Sequence, residues 1–120
     1  MAKATTKEQT ADKSYRAAHR FARISPTKVR PIADLIRGKS VAEAQEVLKF
    51  MPNRGARFLE KVIGSATANA EDQAVRNVEE LEIVLCCVDE GPRMKRFQPH
   101  ARGSAFPIIK RMSHIRVEIG

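Results

Sequence analysis

Between Gly91 and Val117 the chain carries seven basic residues (Arg93, Lys95, Arg96, Arg102, Lys110, Arg111 and Arg116) and no acidic one. A solvated protein face ordinarily mixes both signs, so this one-sided stretch constrains the fold more than any other feature of the sequence. Three prolines (Pro92, Pro99 and Pro107) and two glycines (Gly91 and Gly103) punctuate it, and it shows no core-forming pattern. So long a connection without apolar periodicity reads as a functional or disordered segment rather than part of a core. Folded as a hairpin extension with about ten to thirteen residues per side, it would reach roughly 35–45 Å from the body. With no apolar face expected between Gly91 and Lys110, such an arm would not order itself in water and needs another surface to hold it straight.

The rest of the charge is also segregated. From Lys13 to Lys39 there are eight basic residues against the single acid Asp34, and from Ser40 to Glu90 five basic residues face ten acidic ones. The sum over 120 residues is +8, a balance that points to a polyanionic partner. The length is that of one domain, with residues 1–12 read as a flexible tail and 13–120 as the folded unit. Apolar residues make up 42%, enough for a core, but no apolar run approaches the ~20 residues that span a bilayer. Met1 to Asp12 holds no hydrophobic stretch, so no secretory signal and no membrane association is expected. Cys86 and Cys87 are adjacent and cannot close an unstrained disulfide; they read as small apolar residues of a cytoplasmic protein.

Local patterns outline the body. Tyr15 to Ile24 is ambiguous between helix and strand, and the alternation of Tyr15, Ala17, His19 and Phe21 favours strand. Ser25-Pro26 opens a helix with a hydroxyl N-cap and proline at the first position. Val29, Ile32, Ala33 and Ile36 form its apolar stripe and Gly38 its left-handed stop, while Pro31 should kink it. Ser40 and Glu43 form a capping box for a second helix with Ala44, Val47, Leu48 and Met51 on one face. Asn53 caps a third helix with Ala56, Leu59, Ile63, Ala66 and Ala70 inward, and the small residues Ala66, Ala68 and Ala70 suggest a closely approaching neighbour. Glu80 to Val88, apolar on both faces, reads as a central strand, and Ile115, Val117 and Ile119 alternate in a closing strand.

Catalytic signatures are not found. Arg37-Gly38-Lys39-Ser40 resembles the end of a phosphate-binding loop, but Ala33 stands where the first glycine is required. His19, His100 and His114 lack ligand spacing, so neither a metal site nor a cofactor is expected, and no nucleophile constellation appears. The chain is not read as an enzyme. An RNA-binding structural component with an α+β body and a basic arm competes with a helix-turn-helix DNA reader and with a scaffold for acidic proteins. The helix-turn-helix reading suffers because the third helix carries Glu60, Glu71 and Asp72 instead of a basic recognition face. A Pro- and Gly-bearing arm with spaced arginines suits backbone contacts across several RNA helices.

Several of these residues also carry a resemblance. Arg23-Ile24-Ser25-Pro26-x-Lys28-x-Arg30, Asp34-Leu35-Ile36-Arg37-Gly38-Lys39-Ser40 and Ala66-x-Ala68-Asn69-Ala70 closely resemble the bacterial large-subunit ribosomal protein twenty-two family. So do Val88-Asp89-Glu90-Gly91-Pro92-x-Met94-Lys95-Arg96, Ala101-Arg102-Gly103-x-Ala105 and Lys110-Arg111-x-Ser113-His114-Ile115. The resemblance runs in family order from about Ala18 to Val117. It implies an α+β fold, a compact body of three helices packed on a small antiparallel sheet with a long β-hairpin arm over about 82–117. It decides Tyr15–Ile24 in favour of strand.

The function implied is a structural one in the ribosome. The family binds large-subunit ribosomal RNA in several of its domains, supports assembly, adjoins neighbouring large-subunit proteins and lines the nascent-peptide exit tunnel with its hairpin tip. On this sequence the tip is about 91–103, with Met94, Lys95 and Arg96 near the tunnel constriction and the macrolide pocket. The RNA-binding residues implied are Arg16, Arg20, Arg23, Ser25, Lys28, Arg30, Arg37 and Lys39 in the first third. In the arm they are Arg93, Lys95, Arg96, His100, Arg102, Lys110, Arg111 and His114. His100 and Ser104 stand where the family often has arginine, Met112 where threonine is usual, and Pro31 where a helix-friendly residue is common.

Overall fold

Alternating burial begins at once in Tyr15–Ala22, the first strand (β1), where Tyr15 and Ala17 face the interior and Arg16 and Ala18 face solvent. A computed structural model describes residues 14–120; the expected tail, 1–12, lies outside the described residues. At Phe21 the backbone turns to φ 61° and the register shifts. Ala22 is thereby buried although it breaks the two-residue period.

Three helices follow: α1 (Pro26–Ile36), α2 (Val41–Phe50) and α3 (Arg54–Asp72). In α1, Val29, Ile32, Ala33 and Ile36 are buried as the spacing required. The helix runs through Pro31 without a break. Proline's missing amide would have bonded to the Thr27 carbonyl, and both residues lie on the exposed face where water can serve that oxygen. Gly38 ends the unit at φ 84°, a conformation that glycine adopts without steric cost. The Ser40 hydroxyl accepts from the Glu43 amide at 3.4 Å, as a capping residue should. Ser25 and Asn53 occupy N-cap positions, but neither side chain caps its helix; the Ser25 hydroxyl pairs with that of Thr27 at 2.9 Å. At the far end of α2 the Arg57 guanidinium donates to the carbonyls of Leu48 (2.6 Å), Lys49 (3.3 Å) and Met51. It satisfies the acceptors that a helix C-terminus leaves orphaned. In α3, Ala66 and Ala70 are buried while Ala68 is exposed, so the small-residue contact involves two of the three alanines.

The last two strands, β2 (Ile83–Pro99) and β3 (Ala105–Ile119), form a long antiparallel hairpin. Sheet order is β1-β3-β2. The architecture is thus α+β, three helices on a small antiparallel sheet with an extended hairpin. The central strand is β3, not the 80–88 segment, which starts at Ile83 and forms an edge. Helix α1 packs against this strand, whose Ile83, Cys86 and Val88 are buried while Val84 on the outer face is 60% exposed. Gly38 donates to the Ile83 carbonyl (3.1 Å) and Ile83 to that of Lys39 (2.9 Å). Farther along, Arg37 donates to the Cys86 carbonyl (2.6 Å) and Arg30 to that of Val88 (3.3 Å). Exposed sheet edges invite foreign strands; here guanidinium donors occupy the acceptors.

Beyond Ser113 the sheet loses β1 and continues as two strands alone. Seven residues of each strand pair there, Arg93–Pro99 against Ala105–Arg111, a reach of roughly 23 Å before the turn. The free arm is therefore shorter than its 27 basic-region residues suggested, because the body sheet claims the rest. The molecule still measures 72 × 36 × 22 Å.

Candidate nucleic-acid interface

The junction between body and arm is built by three devices. Ser113, fully buried in β3, donates its hydroxyl to the Ile24 carbonyl and ties the β1–α1 connection to the sheet. A register shift between Glu90 and Arg93 bends β2 where the arm departs. Gly91 sits in that shift, and a Cβ there would lie 3.1 Å from the Met112 backbone, so a larger residue would push the two strands apart by a few tenths of an ångström.

These devices leave a cleft of about 680 Å³ lined by Arg23, Ser25, Lys28 and Arg54 from the body and by Met94, Arg96, Ile109, Lys110, Arg111 and Met112 from the arm. Six of the ten are cations and none is a carboxylate. Helices α1 and α3 both begin at this wall, with Lys28 and Arg54 in their first turns and no acid in either. Helix N-termini carry partial positive charge, so backbone and side chains contribute the same sign. Such a surface is unfavourable alone and suited to the phosphates of a polyanion.

The cleft gathers six of the sixteen residues expected from sequence: Arg23, Ser25, Lys28, Arg96, Lys110 and Arg111. It adds Arg54, which sequence reasoning assigned to the acidic middle third. The usable signal was a cation in a helix first turn, where the dipole disfavours it. The remaining expected residues lie elsewhere. Arg20 and His114 line a shallow hollow with Arg116 and Asp89. Arg16 pairs with Glu118 at 3.1 Å and Arg93 with Glu90 at 3.1 Å. Arg30 and Arg37 serve the β2 edge, and Arg37 also holds Asp34 at 2.7 Å. Lys39 lies in the turn after α1, and its carbonyl accepts from the Ile83 amide. His114 accepts the Phe21 amide on Nδ1 at 3.1 Å.

Met94, Lys95 and Arg96 pair with Lys110, Ile109 and Ile108 in mid-ribbon, and the end of the arm is the turn Ala101–Gly103. Arg102 adopts φ 63° there, and the His100 amide N–H closes the turn by donating to the Ser104 carbonyl at 2.7 Å. Lys95 and Arg102 are exposed.

Cys86 is buried, and burial pushes its thiol up to about 11, with Arg37 pulling the other way. Both cysteines are free. Among the described residues, no three His, Cys, Asp or Glu side chains gather as metal ligands. No described helix is long and apolar enough to cross a membrane.

Comparison with known proteins gives the family. The family described as ribosomal protein L22p/L17e matches residues 17–120. The large ribosomal subunit protein uL22 of Ligilactobacillus salivarius (strain UCC118) is 52% identical over 106 residues, covering 88% of this chain and 92% of that protein. Its counterpart in Rhodopirellula baltica is 54% identical over 108 residues, covering 86% and 91%. The uL22 of Thermotoga sp. (strain RQ2) is 53% identical over 104 residues, covering 87% of this chain and 65% of that longer protein. The chain belongs to the ribosomal protein L22p/L17e family.

Proposed function

We propose that the chain is a structural component of the large ribosomal subunit in the cytoplasm, binding large-subunit ribosomal RNA without catalysis. The observation that carries this reading is the body–arm cleft, six cations and no carboxylate around one concavity. The names of its relatives as large-subunit proteins support it. Arginine forks and lysine charges neutralise phosphates, and the release of condensed counterions dominates affinity. The arm reaches between RNA segments of several domains and, near Met94, Lys95 and Arg96, forms part of the wall of the nascent-peptide tunnel. The exposed carboxylates Glu43 and Glu46 of α2 and Glu71 and Asp72 at the far end of α3 face away from RNA toward solvent and neighbouring ribosomal proteins.

Tagged chain should co-sediment with large subunits, and free chain should bind large-subunit RNA with a steep salt dependence. Free RNA bound no better than a neutral polymer at low salt would favour a scaffold for acidic proteins. The tunnel assignment has its own test. Deleting Met94–Arg96 should change macrolide sensitivity while subunits still assemble, whereas lost assembly with unchanged drug response places the triplet on the RNA-anchoring side.

A further inference from the structure

The arm, expected to have no apolar face, turns its apolar side chains to solvent. Phe97 is 75% exposed and Phe106 56% exposed. Directly paired residues of an antiparallel ladder share a face, and neighbours along a strand alternate. The unbroken register Lys95↔Ile109, Arg96↔Ile108, Phe97↔Pro107 and Gln98↔Phe106 therefore puts Phe97 on one face with Lys95 and Ile109. Phe106 lies on the opposite face with Arg96 and Ile108. His100 meets the Phe106 ring edge-on at 4.7 Å, a favoured aromatic geometry that restrains the ring.

Neither ring reaches the core, and two phenyl groups on opposite sides of a two-stranded ribbon cannot bury one another. Each has cations on its own face, in a segment with no acidic residue from Gly91 to Val117. That charge selects a polyanion as occupant, and aromatic rings set among cations on an extended strand match unpaired nucleobases. The ring stacks the base while the cations hold the flanking phosphates. We propose that Phe97 and Phe106 each stack an unpaired RNA base, one on either face of the arm, so that RNA passes on both sides of the ribbon. This rests on the RNA-binding reading above and adds what the arm recognises.

The test uses the full chain and two labelled probes followed by fluorescence anisotropy: a short single-stranded oligoadenylate and an abasic strand of equal length. Wild type should bind the oligoadenylate about tenfold tighter than the abasic strand or better. Phe97→Leu and Phe106→Leu should each reduce that ratio several-fold, and the double variant should erase it. The salt slope should stay unchanged because no charge is lost, and leucine at an exposed position keeps the melting temperature as a folding control. Equal binding of the two strands by wild type, still steeply salt-dependent, overturns stacking and leaves RNA binding intact, making a protein segment the alternative occupant of the rings. A response to only one of the two substitutions overturns the two-sided arrangement. Failure to bind either strand at low salt overturns the RNA reading itself.

Discussion

Two halves of the same two strands face opposite fates. In the body, β3 runs Ser113, Ile115, Val117 and Ile119 into the core with all four fully buried, and β2 adds Ile83 and Cys86. In the arm the same strands carry Arg93, Lys95 and Arg96 against Ile109, Lys110 and Arg111, exposed on both faces. Backbone pairing is continuous across the junction apart from one register shift. Hydrogen-bonded ladder geometry is therefore not what separates body from arm; burial of one face is. A lone two-stranded ribbon is marginal in water, so the arm's stability is borrowed from its partner.

The largest effect expected from this difference is electrostatic. Engaging about eight phosphates gives a log–log salt slope of roughly −6 to −7, which is a loss of about 10³–10⁵ in affinity between 50 and 200 mM salt. Filter binding to large-subunit RNA across that range measures it. A flat profile would mean that the arm is held by something other than phosphate, and the comparison with the apolar body would lose its basis.

Next comes the core. Leu59 is fully buried, and Leu59→Ala should cost about 2–5 kcal/mol through transfer and cavity terms. Phe106→Ala, at the exposed end, should leave urea unfolding of the free protein within about 0.5 kcal/mol. Amide exchange should show the same contrast, with Leu59–Ala70 protected and 91–110 open. Strong protection of the turn in free protein would show that the arm is self-supporting.

The body should also show an alkaline limit. The Cys86 thiol ionises near 9.0 ordinarily and is pushed up to about 11 by burial. The unfolded chain releases this proton first, so stability is full below pH 9 and falls as pH rises toward 11. Two pKa units amount to about 2–3 kcal/mol. Cys86→Ala should flatten that part of the curve relative to wild type, read from denaturant midpoints at pH 8, 9.5 and 10.5. Parallel curves for the two proteins would show that the thiol ionises in place.

How far the sequence foretold this depends on whether a signal was local. The stripe of Val29, Ile32 and Ile36 and the Ser40–Glu43 box are set by neighbours within four residues; the stripe is as read, and of the box the Ser40 hydroxyl makes its bond to the Glu43 amide. The order of the strands was misjudged because apolar residues on both faces of 83–88 fit two placements, a central one or an edge whose outer face stays partly exposed. Only the long-range bonds from Arg30 and Arg37 to β2 distinguish them. The same bonds explain why charge alone did not sort the site residues. Arg30, Arg37 and Arg54 look alike along the chain, yet two serve β2 and one faces the cleft. The apolar side chains of the arm give no face signal along the chain because pairing splits them, Phe97 and Ile109 to one side of the ribbon and Phe106 to the other.

Arg54 and Arg37 give the smallest and most discriminating comparison, since each Ala substitution removes one positive charge. Arg54 lines the basic cleft and its guanidinium lies 5.5 Å from the Phe58 ring centroid. Its replacement should cut the salt slope by about one unit and barely change stability, because an exposed cation–π contact is worth about 0.5–1 kcal/mol and relief of cation crowding at a helix N-terminus offsets it. Arg37 donates to the Cys86 carbonyl at 2.6 Å and to Asp34 at 2.7 Å. Its replacement strips an acceptor of β2 and should cost about 1–2 kcal/mol, with a smaller change in slope because the guanidinium is already committed within the fold. Paired measurements of urea midpoint and salt slope on the two variants separate the roles. If Arg37→Ala lowers the slope as much as Arg54→Ala and leaves the midpoint alone, the β2 edge belongs to the RNA interface, and the division between body and arm must be redrawn along α1.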